Sequence, residues 1–389
     1  MPEAIPYGRQ SVDEDDIAAV AEVLRGDFLT TGPMIPAFEA ALAEAGGTRH
    51  AVAVSSGTAA LHAMYFAAGI GPGDEIITSP LTFAATANAA LYLGATVRFA
   101  DVDPATGNLD PACVEPLVTP RTRAIVGVDY AGQPADYDAL RELATGAGAA
   151  LLADAAHSLG ATDRGRPVGT LADASALSFH PVKPITTAEG GAVLTGDEEL
   201  ARRAARFRTH GITRDADELE ADEGPWYYEQ HDLGFNYRLT DVQAALGIAQ
   251  LERLDGMLAD RARVAGWYGE RLAALGGAEP GAGDPDGLVL PLADRGAERR
   301  SWFVYIVRVP TGVDRDGVIA ALDAEGIDAR PYLPCIHLMP PYRERFGYGE
   351  GDFPVAEGFS RRAVALPFYP HLPEGDVERV VAALGRALG

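Results

Sequence analysis

The sequence predicts an α/β protein whose large domain is built on a mostly parallel central sheet flanked by helices. Short apolar segments alternate with amphipathic segments through the first half of the 389 residues. Strands that are covered on both faces read as continuous apolar runs, and their alternation with helices is typical of parallel sheets. Because the chain is too long for one small core, we expect a large domain at 1–250 and a smaller C-terminal α/β domain at 251–389.

The first helix is predicted from apolar residues that repeat at i, i+3, i+4 and i+7, namely Ile17, Val20, Ala21 and Leu24. Ser11 and Glu14 have the spacing of a capping box, so we expect the helix to start beside them. A second helix is expected at 35–45. The alternation then continues with strands at 51–54, 75–78, 96–100, 124–128 and 150–153, and with helices from Gly57, at 83–93 and at 137–145.

The second half of the chain completes the sheet and then leaves it. Strands are expected at 174–179 and 192–195, and the polar, aromatic segment 211–232 is expected to be a long loop. Helices from 240 to about 275 lead away from the sheet, and 276–300, rich in Gly, Pro, Ala and Asp, is expected to be a linker. The small domain is predicted from strands at 302–309 and 327–330, a helix at 318–325, and a final helix on Val377, Val380, Val381 and Leu384.

The composition, with 47% hydrophobic and 23% charged residues, is that of a soluble globular protein. The formal net charge of −24 argues against general affinity for nucleic acid or for an anionic membrane. The negative charge does not argue against binding of a phosphorylated small molecule, because backbone N–H groups are able to bind phosphate inside an acidic protein. No apolar run reaches the about 20 residues that span a bilayer, so we expect no membrane segment.

We expect the chain to work in the cytoplasm. Its first residues lack the basic and apolar regions of a secretory signal. The two cysteines, Cys113 and Cys335, cannot build a disulfide framework, and neither has the spacing of a metal ligand. A reducing compartment and a site without metal follow from these observations.

Lys183 is the first candidate for a catalytic residue. It lies between two predicted strands, in a segment that also carries Ser178, His180 and the pair Gly190 and Gly191. A lysine on a tight loop between apolar strands has an amine that is suited to condense with a carbonyl group, which makes it a Schiff-base candidate. The alternative is a solvated loop lysine.

Asp154 is the second candidate. It ends an apolar predicted strand, and the carboxyl ends of parallel strands face the crevice in which such sheets bind ligands. An Asp that pairs with a pyridinium nitrogen keeps that ring an electron sink. The alternative is an Asp that caps the next helix.

Three further features fit the same site. Residues 55–60, Ser-Ser-Gly-Thr-Ala-Ala, link a strand to a helix, so the first N–H groups of that helix are able to close around a phosphate. Phe83, at the opening of a helix, is able to lie flat on an aromatic cofactor, and His157 follows Asp154 by one helical turn. Each has a plain alternative: an ordinary helix start, core packing and a structural histidine. Together with Lys183 and Asp154 they predict a pyridoxal-phosphate site.

The chain resembles the fold-type I pyridoxal-phosphate enzymes, and within them the DegT/DnrJ/EryC/StrS sugar aminotransferases. The resemblance covers nearly the whole chain. Its motifs are 29–33 (LTTGP), 56–61 (SGTAAL), 154–157 (DAAH), 178–180 (SFH) with Lys183, 189–192 (EGGA), 234–241 (GFNYRLTD) and 243–247 (QAALG).

Within this family, segments 180–191 and 128–132 look most like the branch of the pseudaminic-acid pathway. Enzymes of that branch aminate C4 of a UDP-linked 4-keto-6-deoxy-N-acetyl sugar, to give UDP-4-amino-4,6-dideoxy-N-acetyl-beta-L-altrosamine. Segments 214–228 and 276–287 do not match that branch residue by residue.

The resemblance implies a role for each matching residue. Lys183 holds the cofactor as an internal aldimine and then moves protons, while Asp154 pairs with the pyridine nitrogen. His157, where many members have Gln, lies near the phenolic oxygen, and Phe83 stacks on the ring. The cofactor phosphate is bound by Gly57, Thr58, Ser178 and, from the neighbouring subunit, Asn236. That last contact implies a homodimer with shared active sites.

The expected activity is therefore a ping-pong transamination from L-glutamate to a nucleotide-linked keto sugar, since the family's dehydratases carry His in place of Lys183. Candidate residues on the sugar side are Tyr7, His180, Tyr228, Tyr332 and His337, each of which has packing as its alternative. Three other hypotheses stay open. The first is that the substrate is a dTDP-keto-hexose or keto-cyclitol of antibiotic biosynthesis. The second is that the protein is a non-catalytic regulatory protein that binds pyridoxal phosphate. The third is that it is a lyase on the same fold.

Overall fold

The computed structural model describes residues 3–221, 223–281, 286–294 and 296–389. Its α-helices are α1 Glu14–Arg25, α2 Met34–Gly46, α3 Gly57–Ala67, α4 Ala84–Tyr92, α5 Pro111–Val114, α6 Tyr137–Ala147, α7 Glu198–Phe207, α8 Asp241–Glu252, α9 Leu254–Ala274, α10 Arg315–Ala324, α11 Pro340–Phe346, α12 Pro354–Arg362 and α13 Glu374–Leu388. Its strands are β1 His50–Val54, β2 Glu75–Thr78, β3 Thr96–Phe99, β4 Thr122–Val128, β5 Ala150–Asp154, β6 Thr162–Asp163, β7 Arg166–Pro167, β8 Ala174–Ser178, β9 Gly191–Thr195, β10 Ile212–Thr213, β11 Glu229–Gln230, β12 Tyr305–Arg308, β13 Arg330–Pro331 and β14 Ala363–Leu366.

The large domain is built on a seven-stranded sheet in the order β1-β9-β8-β5-β4-β2-β3. Strands β8, β5, β4, β2 and β3 run parallel, and β9 is antiparallel to both of its neighbours. The predicted α/β class, with a mostly parallel central sheet flanked by helices, is therefore confirmed. The register places Asp154 beside Val128 on one side and Ala176 on the other, so the carboxyl ends of β4, β5 and β8 meet at one edge.

Buried side chains form two clusters on the two faces of this sheet and a third around β12 and β14. Helix α9 contributes to two of them, because Leu254 and Leu258 pack in a sheet cluster while Tyr268 and Leu272 pack in the third. The small domain is a three-stranded antiparallel sheet, β12-β14-β13, with α10 and α13. The predicted boundary between residues 250 and 251 stays a prediction. Among the described residues, every helix is too short or too polar to cross a bilayer.

The predicted start of the first helix was wrong. Asp13, rather than Ser11, caps α1: its carboxylate accepts from the N–H groups of Asp15 and Asp16, and Asp16 reciprocates. The sequence allows a capping box either at Ser11 with Glu14 or at Asp13 with Asp16. The second is formed, and Asp16 is also held in place because its carboxylate accepts from Gln250 at 2.7 Å. Two residues of the predicted apolar stripe, Ile17 and Leu24, are 53% and 59% exposed.

Elements of the small domain also differ from the prediction. Strand 302–309 is shorter, since only Tyr305–Arg308 pairs with β14, and strand 327–330 is replaced by Arg330–Pro331. Part of the predicted linker 276–300 pairs with the small domain through Val289 and Arg308, whereas residues 282–285 and 295 lie outside the described residues. The predicted loop 211–232 contains the short pair β10 and β11, and residue 222 also lies outside the description.

Candidate active site

Lys183 lies in the loop between β8 and β9, where its N–H donates to the carbonyl of His180 at 2.8 Å. It is half-buried, and its Nζ atom lies 4.3 Å from the centre of the Phe303 ring. Loss of solvent lowers the pKa of Lys183 to about 8, although the nearby charge of Asp154 opposes the shift. Near neutral pH the amine is therefore able to exist in both protonation states.

Asp154 stands at the carboxyl end of β5 and is only 7% exposed. Thr86 donates its hydroxyl to Oδ2 at 2.5 Å, and Ala156 donates its N–H to Oδ1 at 3.3 Å. Burial raises the pKa of Asp154, while these two hydrogen bonds and the Lys183 cation lower it. A buried acid held in this way is suited to face a cationic ring nitrogen, and the residues that follow it form a turn rather than a capped helix.

The start of α3 and the end of β8 approach each other closely and form a cradle, which is the candidate phosphate site. Ser56 caps α3 by accepting from the N–H of Ala59 at 3.1 Å. A side chain at Gly57 would put its Cβ 2.8 Å from the Cβ of Ser178, so only glycine permits this approach. The first N–H groups of a helix have no partner within it, and the helix dipole favours an anion there. Thr58 is the next residue of the same turn, so the structure brings Gly57, Thr58 and Ser178 together.

An aromatic wall from the small domain closes the other side. Phe303 stacks on His157, with ring centres 4.2 Å apart and planes 10° apart. The hydroxyl of Tyr332 lies 3.4 Å from Nε2 of His157. Burial, with a further contribution from the Lys183 cation, lowers the pKa of His157 well below its usual value, so the imidazole is neutral. The candidate site thus lies between the two domains.

Phe83 precedes α4 and is 64% exposed. Its carbonyl oxygen lies 3.1 Å from the hydroxyl oxygen of Thr86, whose single proton is donated to Asp154. The main chain of Phe83 is thus in contact with Thr86, the partner of Asp154, while its side chain is exposed.

The other candidates from the sequence are placed at different depths. Tyr7 is half-buried, interacts electrostatically with Tyr332 and has the guanidinium of Arg330 4.8 Å from its ring centre. His180 is exposed on the Lys183 loop. His337 is completely buried with its Nε2 3.3 Å from Glu357, which favours the packing alternative.

Two candidates lie on the surface of the subunit. Tyr228 is 49% exposed beside Arg214, and Asn236 is exposed in a segment that pairs with Thr209. The structure does not bring either of them to Lys183 within one chain.

Sequence reasoning missed two residues of the site, Thr86 and Phe303. Thr86 had a signal, since it lies three residues after Phe83 in a predicted helix. Phe303 had none, because its segment reads as an ordinary apolar strand. One further signal was available in the composition: Lys183 is the only lysine of the 389 residues.

These features fit pyridoxal phosphate. The cradle of Gly57 and Ser178 matches a phosphate, Asp154 matches a ring nitrogen, and the amine of Lys183 matches an aldehyde carbon. The fit rests on the chemistry of three groups that the fold brings to one edge of the sheet.

Comparison with known proteins gives consistent matches over the whole chain. A model of the DegT/DnrJ/EryC1/StrS aminotransferase family matches residues 10–385. The spore coat polysaccharide biosynthesis protein SpsC of Bacillus subtilis is 40% identical over 385 residues, 98% of this chain and 96% of that protein. The GDP-perosamine synthase of Caulobacter vibrioides is 41% identical over 362 residues, 92% of this chain and 91% of that protein. The structure of Helicobacter pylori PseC, an aminotransferase involved in the biosynthesis of pseudoaminic acid, superposes with a TM-score of 0.89 at 31% identity and covers 99% of both chains.

Proposed function

The chain belongs to the DegT/DnrJ/EryC1/StrS aminotransferase family, and we propose that it moves the amino group of L-glutamate to the C4 keto group of a nucleotide-linked 4-keto-6-deoxy sugar. Family membership makes it a pyridoxal-phosphate-dependent sugar aminotransferase. The donor, the aminated carbon and the sugar are the proposal. The observation that carries it is the desolvated amine of Lys183, which interacts with the charge of Asp154 and lies on the loop that follows Ser178.

When bound, pyridoxal phosphate supplies an electrophilic carbon and an electron-withdrawing ring. The amine of Lys183 has to act first as a nucleophile and then as a base that carries a proton between two carbons. Its pKa of about 8 suits both tasks, because the neutral amine and its protonated form coexist near neutral pH. Loss of solvent around the amine is the main cause of that pKa.

The other side chains orient the ring. Asp154 would hold a proton on the ring nitrogen, and Thr86 donates a hydrogen bond that keeps the carboxylate in place. The neutral imidazole of His157 would lie near the phenolic oxygen. Gly57, Thr58 and Ser178 would bind the phosphate, and the exposed ring of Phe83 would stack on the cofactor ring.

For the sugar we propose contacts from both domains. Tyr7 and Tyr332 line the side of the small domain, and His180 lies at the mouth of the loop that carries Lys183. A UDP-linked N-acetyl sugar is the preferred substrate. Support comes from segment 180–191 and from the similarity to PseC, whereas one relative is named for a GDP-linked sugar.

We propose a cytoplasmic homodimer in which Asn236 and Tyr228 serve the neighbouring active site. Support comes from large apolar side chains that are 44% to 85% exposed on one subunit, namely Ile17, Leu24, Phe28, Leu29, Leu233 and Phe235. Exposed apolar side chains lose unfavourable contact with water when a partner chain covers them. Asn236 directly follows Phe235, so a partner that covers this surface reaches Asn236 as well.

The test is amination of UDP-, GDP- and dTDP-linked 4-keto-6-deoxy sugars with L-glutamate, with the aminated carbon identified by NMR. We expect a new amine at C4, fastest with the UDP-linked N-acetyl sugar, and 2-oxoglutarate in equal amount. Amination at another carbon, or 2-oxoglutarate without an aminated sugar, would contradict the proposal. A dTDP-linked sugar as the fastest substrate would establish the alternative specificity.

A further inference from the structure

We propose that Asp129 is a positioning residue that fixes the turn from Asp154 to Ser158, and with it the two side chains that face the cofactor ring. The inference rests on the proposed placement of the ring against Asp154 and His157. Asp129 directly follows β4 and is completely buried. The reaction described above does not use its carboxylate.

Asp129 holds the turn at three points. Its N–H donates to the carbonyl of Asp154 at 3.1 Å, and the imidazole of His157 hydrogen-bonds its main chain. The hydroxyl of Ser158 donates to its Oδ2 at 2.5 Å. The first, fourth and fifth residues of the turn are thus tied to one residue on the neighbouring strand.

The second carboxylate oxygen ties the same residue to the start of α6. Oδ1 accepts from the hydroxyl of Tyr137 at 2.8 Å and from the N–H of Ala135 at 3.1 Å. Only an acceptor with two oxygens serves three donors on two sides, and an ionised carboxylate has that capacity. The side chain therefore has no freedom to rotate, and the turn is anchored to α6 as well as to β4.

This carboxylate is costly to bury. Burial raises the pKa of Asp129 to about 7, against the three hydrogen bonds that lower it. An apolar side chain would avoid that cost but would leave the hydroxyl of Ser158 without this acceptor. A buried carboxylate with several hydrogen bonds is suited to hold a reacting group in place. Such precision matters because a misplacement of the reacting group by about 1 Å can lower the rate about 100-fold.

Two hydroxyl deletions separate positioning from general stability. Ser158→Ala and Tyr137→Phe each remove one donor to the same carboxylate, but only Ser158 belongs to the turn. We would record the visible absorbance of the bound cofactor in the holoenzyme between pH 6 and 10, together with kcat and KM for the keto sugar. Asp129→Asn and Asp129→Ala complete the set.

We expect Ser158→Ala to move the midpoint of the absorbance titration and to lower kcat about tenfold, the effect of one buried hydrogen bond. KM should change less than about threefold, and Tyr137→Phe should stay within about twofold of the wild type. Asp129→Ala should resemble Ser158→Ala or exceed it, whereas Asp129→Asn, whose single acceptor oxygen serves only one of the two sides, should have a kcat between those of Asp129→Ala and the wild type.

Equal behaviour of Ser158→Ala and Tyr137→Phe would overturn the inference, whether both are inactive or both unchanged. The proposed function fails separately. If Lys183→Ala keeps its turnover, the assignment of the site is wrong whatever the pair shows. If Lys183→Ala is inactive and Ser158→Ala and Tyr137→Phe do not differ in kcat or in the absorbance titration, only the role of Asp129 is overturned. The hydroxyl deletions keep the test available if Asp129→Ala does not fold.

Discussion

The amine of Lys183 lies 4.3 Å from the centre of the Phe303 ring, so a side chain of the small domain covers the reactive group of the large domain. Burial of the amine, to which this ring contributes, lowers its pKa to about 8, against the opposing charge of Asp154. Phe303 is itself held in place, because the buried Arg261 donates to its carbonyl at 3.1 Å. Packing between the domains and reactivity of the lysine are therefore coupled.

Lys183→Ala is expected to abolish turnover while the protein stays folded. The folded-state pKa of Lys183 lies below its value of 10.5 in the unfolded chain, so at pH 7 burial of the protonated amine opposes folding. The variant without cofactor should therefore be at least as stable at pH 7 as the wild type without cofactor, which thermal unfolding would measure.

The single lysine gives this variant a direct chemical control. Borohydride reduction of the holoenzyme should fix one cofactor per chain to the peptide that contains Lys183, since no other lysine side chain is present. Mass spectrometry of Lys183→Ala after the same treatment should show no labelled side chain. A variant that keeps normal turnover would contradict the assignment.

Asp154→Asn is expected to keep the cofactor but to lower turnover by orders of magnitude, because an amide does not hold the proton on the ring nitrogen. Single-turnover kinetics with L-glutamate measure this step directly. Thr86→Val is the matched control, since it removes the 2.5 Å hydrogen bond and leaves the carboxylate. It should cost about tenfold. If both variants lose activity equally, the charge of Asp154 is not what matters.

The sequence predicted the large domain better than the small one. The strand at 75–78 has the same bounds in the structure, and Lys183, Asp154 and the helix start at Gly57 lie at one edge of the sheet as expected. These features are local, since apolar runs and turn residues define them. Phe303 was not predictable, because residues 302–304 have the sequence pattern of a strand. In the structure they enter the cleft instead, where they contact Arg261 and Gly132. Both of these residues are distant in the chain, so no local pattern indicates the contacts.

His157→Gln is expected to keep turnover within about threefold, because either side chain is able to hydrogen-bond the phenolic oxygen. Burial lowers the pKa of His157 well below its usual value of 6.5, so the imidazole is neutral from pH 7 to 9 and its titration does not change the rate in that range. The profiles of kcat for the two proteins should therefore run parallel over that range. A limb that is present in the wild type and lost in the variant would show that His157 titrates during turnover.

Salt is expected to stabilise the protein. With 56 acidic and 32 basic residues, the carboxylates outnumber the basic side chains by 24. Their mutual repulsion opposes the compact state, and raising the salt from 0.1 to 1 M shortens the screening length from about 10 to about 3 Å. Surface ion pairs such as Arg164 with Asp138 weaken at the same time, but each contributes only about 0–1 kcal/mol.

The melting temperature of the holoenzyme should therefore rise between 0.1 and 1 M KCl, a salt chosen because it lacks the strongly excluded anions that stabilise most proteins. A matched series in sucrose separates screening from exclusion, since sucrose carries no charge. Repetition near pH 4.6, the isoelectric point of the sequence, supplies the second control, because the net charge and with it the salt effect should vanish there. A melting temperature that falls with KCl at pH 7 would show that ion pairs, rather than repulsion among the excess carboxylates, dominate the electrostatic free energy of this fold.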